Sequence, residues 1–416
     1  MSQAKEHRRQ LWVIVTIVFL GFIGISMPYL IFPALFLNPN YFILPVETTI
    51  SVRALYLGVT LAAYPLGQFI GSPILGALSD DYGRKQLLSG TLVIAGIGNL
   101  LTGYSIAHHN VILLILSRFI VGVMEGNIAI ARAMAIDIKT ISKHETLGKI
   151  NAAISIAFLI GPLVGGVLTD SSILSGLNTS TPFFFICVLF FGLAVMSMIV
   201  LKSSVISTAI QRKSIWQRIN FIKRISMLFS NKQLKTLLIV STLCTLAVDI
   251  FYEFGPVFLT VKWTLGPSQL VLYNGILCLT LAIGNGWLPA IVSKRYNTRK
   301  VIVSMITGLV ILLIAMIYTE YVWLMVVLFG LSGLCIGLSG TLLTVKISDA
   351  VSDAIQGEVM GTQLSLRVLG DGIICLGGAI LLILSAKIIL AIAALIALCA
   401  VIYYSIYEKD TDKQIV

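Results

Sequence analysis

Long apolar stretches alternate with short polar ones along this chain, and the pattern predicts its architecture. Each stretch is about 20 residues or longer, which is the length an α-helix needs to cross a bilayer. The short alternating segments of a transmembrane β-barrel do not occur. We therefore predict an all-α polytopic membrane protein with twelve transmembrane helices, here called spans 1 to 12. Their limits are 11–36, 54–79, 86–107, 111–138, 147–169, 182–201, 236–260, 269–292, 301–318, 322–346, 359–383 and 388–407.

The composition agrees with this pattern. Of the 416 residues, 57% are hydrophobic and only 11% are charged, whereas a soluble domain carries about 25% charged residues. The six cysteines all lie within spans, without the spacing of metal ligands, and are interpreted as small apolar packing residues. The sequence contains no nucleotide loop, metal cluster or serine–histidine constellation. We expect neither enzymatic activity, nor a cofactor, nor a metal site.

The distribution of basic residues predicts the orientation. With the N-terminus inside, 23 of the 29 lysines and arginines fall on the cytoplasmic side. Three fall on the opposite side and three within spans. This bias predicts cytoplasmic N- and C-termini, and the first apolar run is too long for a cleavable signal peptide. The net charge of +11 therefore reflects membrane topology rather than a nucleic-acid partner.

One long polar segment divides the chain. Residues 203–234 carry an isoleucine-rich face opposite a basic face, which is typical of a helix lying on the membrane surface. This linker, a plain connection or a regulatory lipid sensor, would separate two pseudo-symmetric six-helix bundles, residues 1–202 and 235–416. Residues 293–300, between spans 8 and 9, keep the basic residues of the corresponding loop between spans 2 and 3. Such weak internal symmetry is expected of parallel repeats.

The loop between spans 2 and 3 has a distinctive chemistry. Asp80 ends one helix, where a carboxylate is unfavourable unless it caps another helix. Gly83 supplies a turn, and Gly76 allows close helix approach. Arg84 and Lys85 mark the loop as cytoplasmic. Such a loop suits a latch between two mobile halves of a transporter, the alternative being an ordinary positive-inside turn.

Residues 76–85, GALSDDYGRK, resemble the signature loop of the major facilitator superfamily. The chain departs from the family at Asp81, where arginine is usual. Asp137 resembles the acidic residue that partners the signature-loop arginine in that family. The resemblance implies the major facilitator fold, and we predict that Asp80 meets the N-terminus of span 11 near Gly361.

A second resemblance concerns spans 4 and 5. Arg118 and Gly122 are similar to the arginine-and-glycine pattern of the superfamily's twelve-helix drug:proton antiporters, which include the tetracycline pumps. Span 5 resembles their antiporter motif. We expect its glycines to pack against span 8, and its proline to form a hinge; the alternative is a small-residue packing face with no role in coupling. The matching residues on span 5 are Gly161, Pro162, Gly165 and Gly166.

Seven charged residues lie inside the predicted spans, away from the ends of the helices. Each costs about 2.5–3.5 kcal/mol at the bilayer centre, so they are expected to line a wet cavity or to pair within the bundle. Spans 3, 6, 9 and 12 carry none, and in the superfamily these are the outer helices. The seven are Arg118, Glu125, Arg132, Asp249, Glu253, Arg367 and Asp371.

The spacing of these residues assigns candidate roles. Asp249 and Glu253 lie one helical turn apart, and two like charges so close favour a proton on one of them. They are the first proton-coupling candidates, followed by Glu125 and Asp371. Arg118, Glu125 and Arg132 repeat every seven residues and are expected to form one stripe of span 4. Candidate substrate-binding residues are Arg132, Arg367, Tyr29, Gln68 and Asn274.

Arg367 has an alternative role. It lies four residues before Asp371, so the two side chains can pair on one helix face instead of meeting a substrate. Tyr29 likewise has simple packing as its alternative.

Together these features predict a secondary transporter that works by alternating access. The expected activity is proton-coupled export of a small molecule across an inner membrane. Its partners would be the small molecule, protons and membrane lipid, with no nucleic acid, and we expect a monomer. One alternative is transport of an anionic, carboxylate-rich metabolite such as a siderophore, because guanidinium groups at Arg132 and Arg367 suit carboxylates. A non-transporting receptor or scaffold with the same fold is the other alternative.

Overall fold

A computed structural model describes residues 3–138, 143–202, 232–286, 288–350 and 353–407. Within these ranges the chain forms helices and no strands, which confirms the all-α prediction. The helices are α1 (Gln3–Ser26), α2 (Pro28–Leu37), α3 (Ile50–Tyr82), α4 (Arg84–Ala107), α5 (Val111–Met124), α6 (Gly126–Ile136), α7 (Lys143–Leu168), α8 (Thr181–Val200), α9 (Lys232–Trp263), α10 (Pro267–Gly286), α11 (Leu288–Arg295), α12 (Thr298–Tyr318), α13 (Val322–Asp349), α14 (Asp353–Leu384) and α15 (Ala386–Tyr407).

Eleven helical segments among the described residues are long and apolar enough to cross a membrane. The remaining predicted span, 147–169, lies within α7, whose apolar part Ala152–Leu168 is shorter than the others. A multi-pass membrane protein is therefore confirmed, and the count of twelve stays a prediction. The predicted amphipathic helix of the linker 203–234 lies almost entirely outside the described residues.

Two predicted spans are interrupted at single residues. Span 1 forms α1 and α2, separated by Met27, because Pro28 has no amide hydrogen for the next bond of the helix. Span 4 forms α5 and α6, separated by Glu125. There the amide of Glu125 donates to the carbonyl of Gly122 over 3.0 Å, a tighter 3₁₀-type turn. The second interruption involves no proline and was not predicted.

The chain divides into two compact units. The first contains Met1–Ile219 and Gly266–Ser268, and the second contains Asn220–Leu265 and Gln269–Val416.

In the first unit, α3 and α5 approach each other backbone to backbone. A Cβ atom added to Gly67 would lie 2.8 Å from the amide nitrogen of Val123. One added to Gly122 would overlap the carbonyl oxygen of Tyr64. Only glycine fits such a crossing, which is the small-residue packing that replaces hydrophobic driving force in a bilayer.

The second unit contains the same type of crossing between α10 and α13. A Cβ on Gly284 would lie 2.9 Å from the carbonyl oxygen of Leu334. A Cβ on Gly337 would lie 2.9 Å from the amide nitrogen of Asn285. Because α3 and α5 come from spans 2 and 4, and α10 and α13 from spans 8 and 10, equivalent helices cross on glycines in each unit.

Candidate functional site

The second unit holds a forked ion pair between two helices. Arg367 on α14 donates from Nε to Oδ2 of Asp249 on α9 over 3.2 Å, and from Nη2 to Oδ1 over 2.9 Å. The Asp249 side chain is 4% exposed and that of Arg367 is 49% exposed. Arg367 is therefore paired with Asp249 on another helix, and Asp371 on its own helix is a further electrostatic neighbour, so the pairing with Asp371 stays a prediction. The interhelical geometry lets both carboxylate oxygens accept a bond, which strengthens the pair.

Beside this pair lie two more acidic residues and a cysteine. The ligand atoms of Glu253, Asp371 and Cys375 all lie within 4.8 Å of one another. Glu253 comes from α9, while Asp371 and Cys375 lie one turn apart on α14. Oδ1 of Asp371 is buried without a hydrogen bond in the described part of the chain. The predicted coupling residues Asp249, Glu253 and Asp371 thus belong to one cluster.

Cys375 was missed as a member of this site. All six cysteines were interpreted as packing residues, yet Arg367, Asp371 and Cys375 recur every four residues along one face of α14. That periodicity was the signal that sequence reasoning had available.

Asn274, a predicted substrate-binding residue, lies on α10 and is buried. Its amide donates to Sγ of Cys278 over 3.6 Å, and the hydroxyl of Tyr252 lies 3.0 Å from the same sulfur. Tyr252 is the residue before Glu253 on α9. The polar group formed by Asn274, Cys278 and Tyr252 therefore lies near the acidic cluster. Sequence analysis did not select Tyr252 or Cys278.

In the first unit, Glu125 occupies the interruption between α5 and α6. It is 2% exposed, and its electrostatic neighbours are the hydroxyl of Tyr64 and the guanidinium of Arg118. Arg118 lies over the ring of Tyr64, 4.9 Å from its centroid, and 5.5 Å from the centroid of Phe32. These rings attract the cation and shield it from lipid. Discontinuous membrane helices typically mark ligand or ion sites.

The other candidates of the first unit differ in position. Tyr29 packs beside the apolar cluster of Ile25, Tyr64, Val121 and Ile128, which agrees with its packing alternative. Gln68 on α3 and Arg132 on α6 are half-buried. Nε of Arg132 is buried and has no hydrogen bond to a described residue. The interruption at Glu125 separates Arg132 from Arg118, so the predicted stripe does not run along one continuous helix.

At the signature loop, Arg84 forms an ion pair with Asp137, as the resemblance implied. Gly83 adopts φ = 94°, a conformation that favours glycine, and it separates α3 from α4. A Cβ at Gly76 would meet no described atom within 4 Å, and the close helix approach expected at this glycine stays a prediction. The side chain of Asp80 and the environment of Gly361 lie outside the described atoms, so the latch contact stays a prediction.

The glycines of the antiporter motif face α1 of their own unit. A Cβ on Gly165 would lie 3.3 Å from the carbonyl oxygen of Met27, and one on Gly161 would overlap the hydroxyl of Ser26. The packing of this glycine face against span 8 stays a prediction. Gly166 is buried, and α7 continues through Pro162 without interruption, so the hinge stays a prediction.

The profile of the Major Facilitator Superfamily matches residues 11–374. The chain belongs to this family. It is 29% identical over 227 residues to multidrug resistance protein 2 of Bacillus subtilis (strain 168), covering 54% of this chain and 52% of that protein. It is 33% identical over 162 residues to the class H tetracycline resistance protein of Pasteurella multocida, covering 38% of each chain. The chain thus spans about half or less of the length of these relatives.

Among solved structures, the nucleoside transporter NupG aligns with 96% of this chain and 100% of its own. The TM-score is 0.74 at 14% sequence identity, a likeness that concerns the fold alone. The family and its transporter relatives indicate a transporter rather than an enzyme, in agreement with the sequence prediction.

Proposed function

We propose that this protein exports a small molecule in exchange for protons by alternating access. The support from similarity is that matched relatives are named for multidrug and tetracycline resistance. The single observation that carries the proposal is the acidic cluster of the second unit, in which Asp249 pairs with Arg367 and two further carboxyl groups lie beside that pair. These groups are Asp249, Glu253, Asp371 and Arg367.

The charge balance of this cluster favours bound protons. If all three carboxyl groups were ionised, the cluster would carry a net charge of −2 in a site of low dielectric. Like charges that close disfavour ionisation of at least one group, so a proton is held there. Loss of that proton leaves a carboxylate that competes with Asp249 for Arg367. Arg367 would then have two alternative partners, one for each protonation state of the cluster. Coupling requires two such states.

A cationic or neutral substrate fits this balance better than an anionic one. The siderophore alternative depended on the guanidinium groups of Arg132 and Arg367, and Arg367 is engaged by Asp249. A cationic substrate that enters the acidic cluster would supply the positive charge that the bound proton supplies, so the proton would be released. Substrate and proton would thus be exchanged. The amide side chain of Asn274, near the acidic cluster of the same unit, would then contact the neutral part of the substrate.

We place the protein in the inner membrane, with both termini in the cytoplasm, on the strength of the basic-residue distribution. We also propose that it acts as a monomer.

The proposal is tested in proteoliposomes with an imposed pH gradient, using ethidium and tetracycline as probe substrates. Wild-type protein should move the probe toward the acidic compartment, and dissipating the gradient should stop the movement. Asp249→Asn combined with Asp371→Asn should abolish gradient-driven movement. Asp349→Asn, at the end of α13, is a matched control that should retain it. No gradient-driven flux of any probe by wild-type protein, together with retained probe binding, would favour the receptor alternative.

A further inference from the structure

The first unit contains a cavity that the transport proposal does not use. It has a volume of about 670 Å³ and lies where α1 begins, α4 begins and α8 ends. The charge distribution assigns this end of the unit to the cytoplasm. The cavity is lined by Glu6, Arg9, Gln10, Lys85, Ile199, Val200, Leu201 and Lys202.

The charge of this cavity is positive. Glu6 pairs with Lys202 over 2.8 Å, so these two charges neutralise each other. Arg9 and Lys85 have no acidic partner within the described residues and add two positive charges to one concave surface. Two cations on a cavity wall match one or two anionic oxygens, and a phosphate group supplies these.

The surroundings of the cavity are apolar on one side. Ile199, which lines the cavity, is 74% exposed, and Val195 one turn earlier on α8 is 57% exposed. Ile94 and Ile97 on the adjacent α4 are each 43% exposed. In a membrane protein such exposed side chains face acyl chains. The cavity therefore combines a basic end at the membrane surface with an apolar strip that leads into the bilayer.

We propose that this cavity binds the headgroup of an anionic phospholipid of the cytoplasmic leaflet. The phosphate lies between Arg9 and Lys85, and the acyl chains follow the apolar strip on α4 and α8. Basic recesses between membrane helices on the cytoplasmic side are suited to such headgroups. Because Arg9 lies near the start of α1 and Lys85 near the start of α4, a bound lipid would also hold these two helix starts together.

The test uses full-length protein in detergent, titrated with dioleoyl-phosphatidylglycerol or dioleoyl-phosphatidylcholine, with native mass spectrometry to count bound lipids. Wild-type protein should retain one phosphatidylglycerol in preference to phosphatidylcholine. Arg9→Gln combined with Lys85→Gln should weaken phosphatidylglycerol binding roughly 25-fold, since each basic residue near an anionic surface contributes about fivefold. The conservative pair Arg9→Lys and Lys85→Arg should restore binding.

The matched control is Lys294→Gln combined with Lys300→Gln, which removes the same charge from exposed residues that do not line the cavity. This variant should bind phosphatidylglycerol within about twofold of wild type. If phosphatidylglycerol binding falls equally in the control and cavity variants, with melting temperatures unchanged, the proposed binding site is wrong. Glycerol 1-phosphate that displaces the lipid at equal concentration would show a soluble-anion site and overturn the lipid assignment.

Discussion

Arg367 and Asp249 join two helices of the second unit through a forked ion pair whose partners are 118 residues apart in sequence. The pair is asymmetric, because Asp249 is buried and Arg367 is half-exposed. Asp371 lies one turn from Arg367 on α14, and its carboxyl group also interacts electrostatically with the Arg367 guanidinium. This arrangement makes the pair both a structural contact and the centre of the proposed coupling.

Breaking the pair from either side should destabilise the second unit. Asp249→Asn removes the acceptor of both hydrogen bonds from Arg367, and Arg367→Gln removes the positive charge from a cluster of three carboxyl groups. Removing one partner of a buried pair costs about 3–5 kcal/mol, and the exposure of Arg367 reduces this to about 1–3 kcal/mol. Thermal unfolding in detergent measures the change.

The double variant Asp249→Asn/Arg367→Gln is the control for that experiment. It removes both charges, so its melting temperature should lie above that of Arg367→Gln alone. If the two changes are additive, with no coupling energy between them, the pair contributes nothing to stability.

The glycine crossings should be intolerant of larger side chains. Gly122→Leu forces α5 away from Tyr64 on α3, because the added Cβ alone overlaps backbone. Overpacking of this kind costs about 1–3 kcal/mol or more. Gly90→Leu is the matched control, since a Cβ there meets no described atom within 4 Å. Folded yield, measured by size-exclusion chromatography, should fall for Gly122→Leu and not for Gly90→Leu; equal yields would contradict the packing.

The all-α membrane architecture could be predicted because hydropathy over 20 residues is a local property. The pairing of Arg84 with Asp137 was implied by the family resemblance and not by their spacing. The pairing of Arg367 with Asp249 could not be predicted, because it depends on which faces of α9 and α14 meet. From the sequence, Asp371 is an equally suitable partner, because it lies four residues after Arg367 on the same helix.

The interruption at Glu125 illustrates a second limit. No proline or glycine pair marks it locally, since the residues before and after it are Met124 and Gly126. The glycine face of α7 shows a third limit. Gly161 and Gly165 lie close to Ser26 and Met27, and a small-residue face in the sequence does not specify which neighbouring helix packs against it.

The cluster also predicts a change in pH dependence. Protonation of a carboxyl group is what ties transport rate to pH, so removing one titratable group should flatten the profile. Asp371→Asn should make probe transport less dependent on external pH than transport by the wild-type protein. Transport rates measured over a series of external pH values provide the comparison. A profile parallel to that of wild type would exclude Asp371 as a coupling residue.

The pair between Arg84 and Asp137 should affect turnover more than stability. Its side chains are 22% and 51% exposed, and exposed ion pairs contribute at most about 1 kcal/mol. Arg84→Gln should therefore leave the melting temperature nearly unchanged while slowing transport. The charge exchange Arg84→Asp/Asp137→Arg should recover part of the rate. Slow transport in the single variant and in the exchange alike would mean that the pair itself is not required.

Proton release on substrate binding tests the central claim most directly. Purified protein in weakly buffered detergent solution with a pH indicator dye is mixed with ethidium, and released protons are counted against bound ethidium. The account predicts release of about one proton per ethidium bound by wild-type protein, because binding and protonation are thermodynamically linked. Asp249→Asn/Asp371→Asn should bind ethidium and release none. Undiminished proton release by this variant would contradict coupling at the acidic cluster of the second unit.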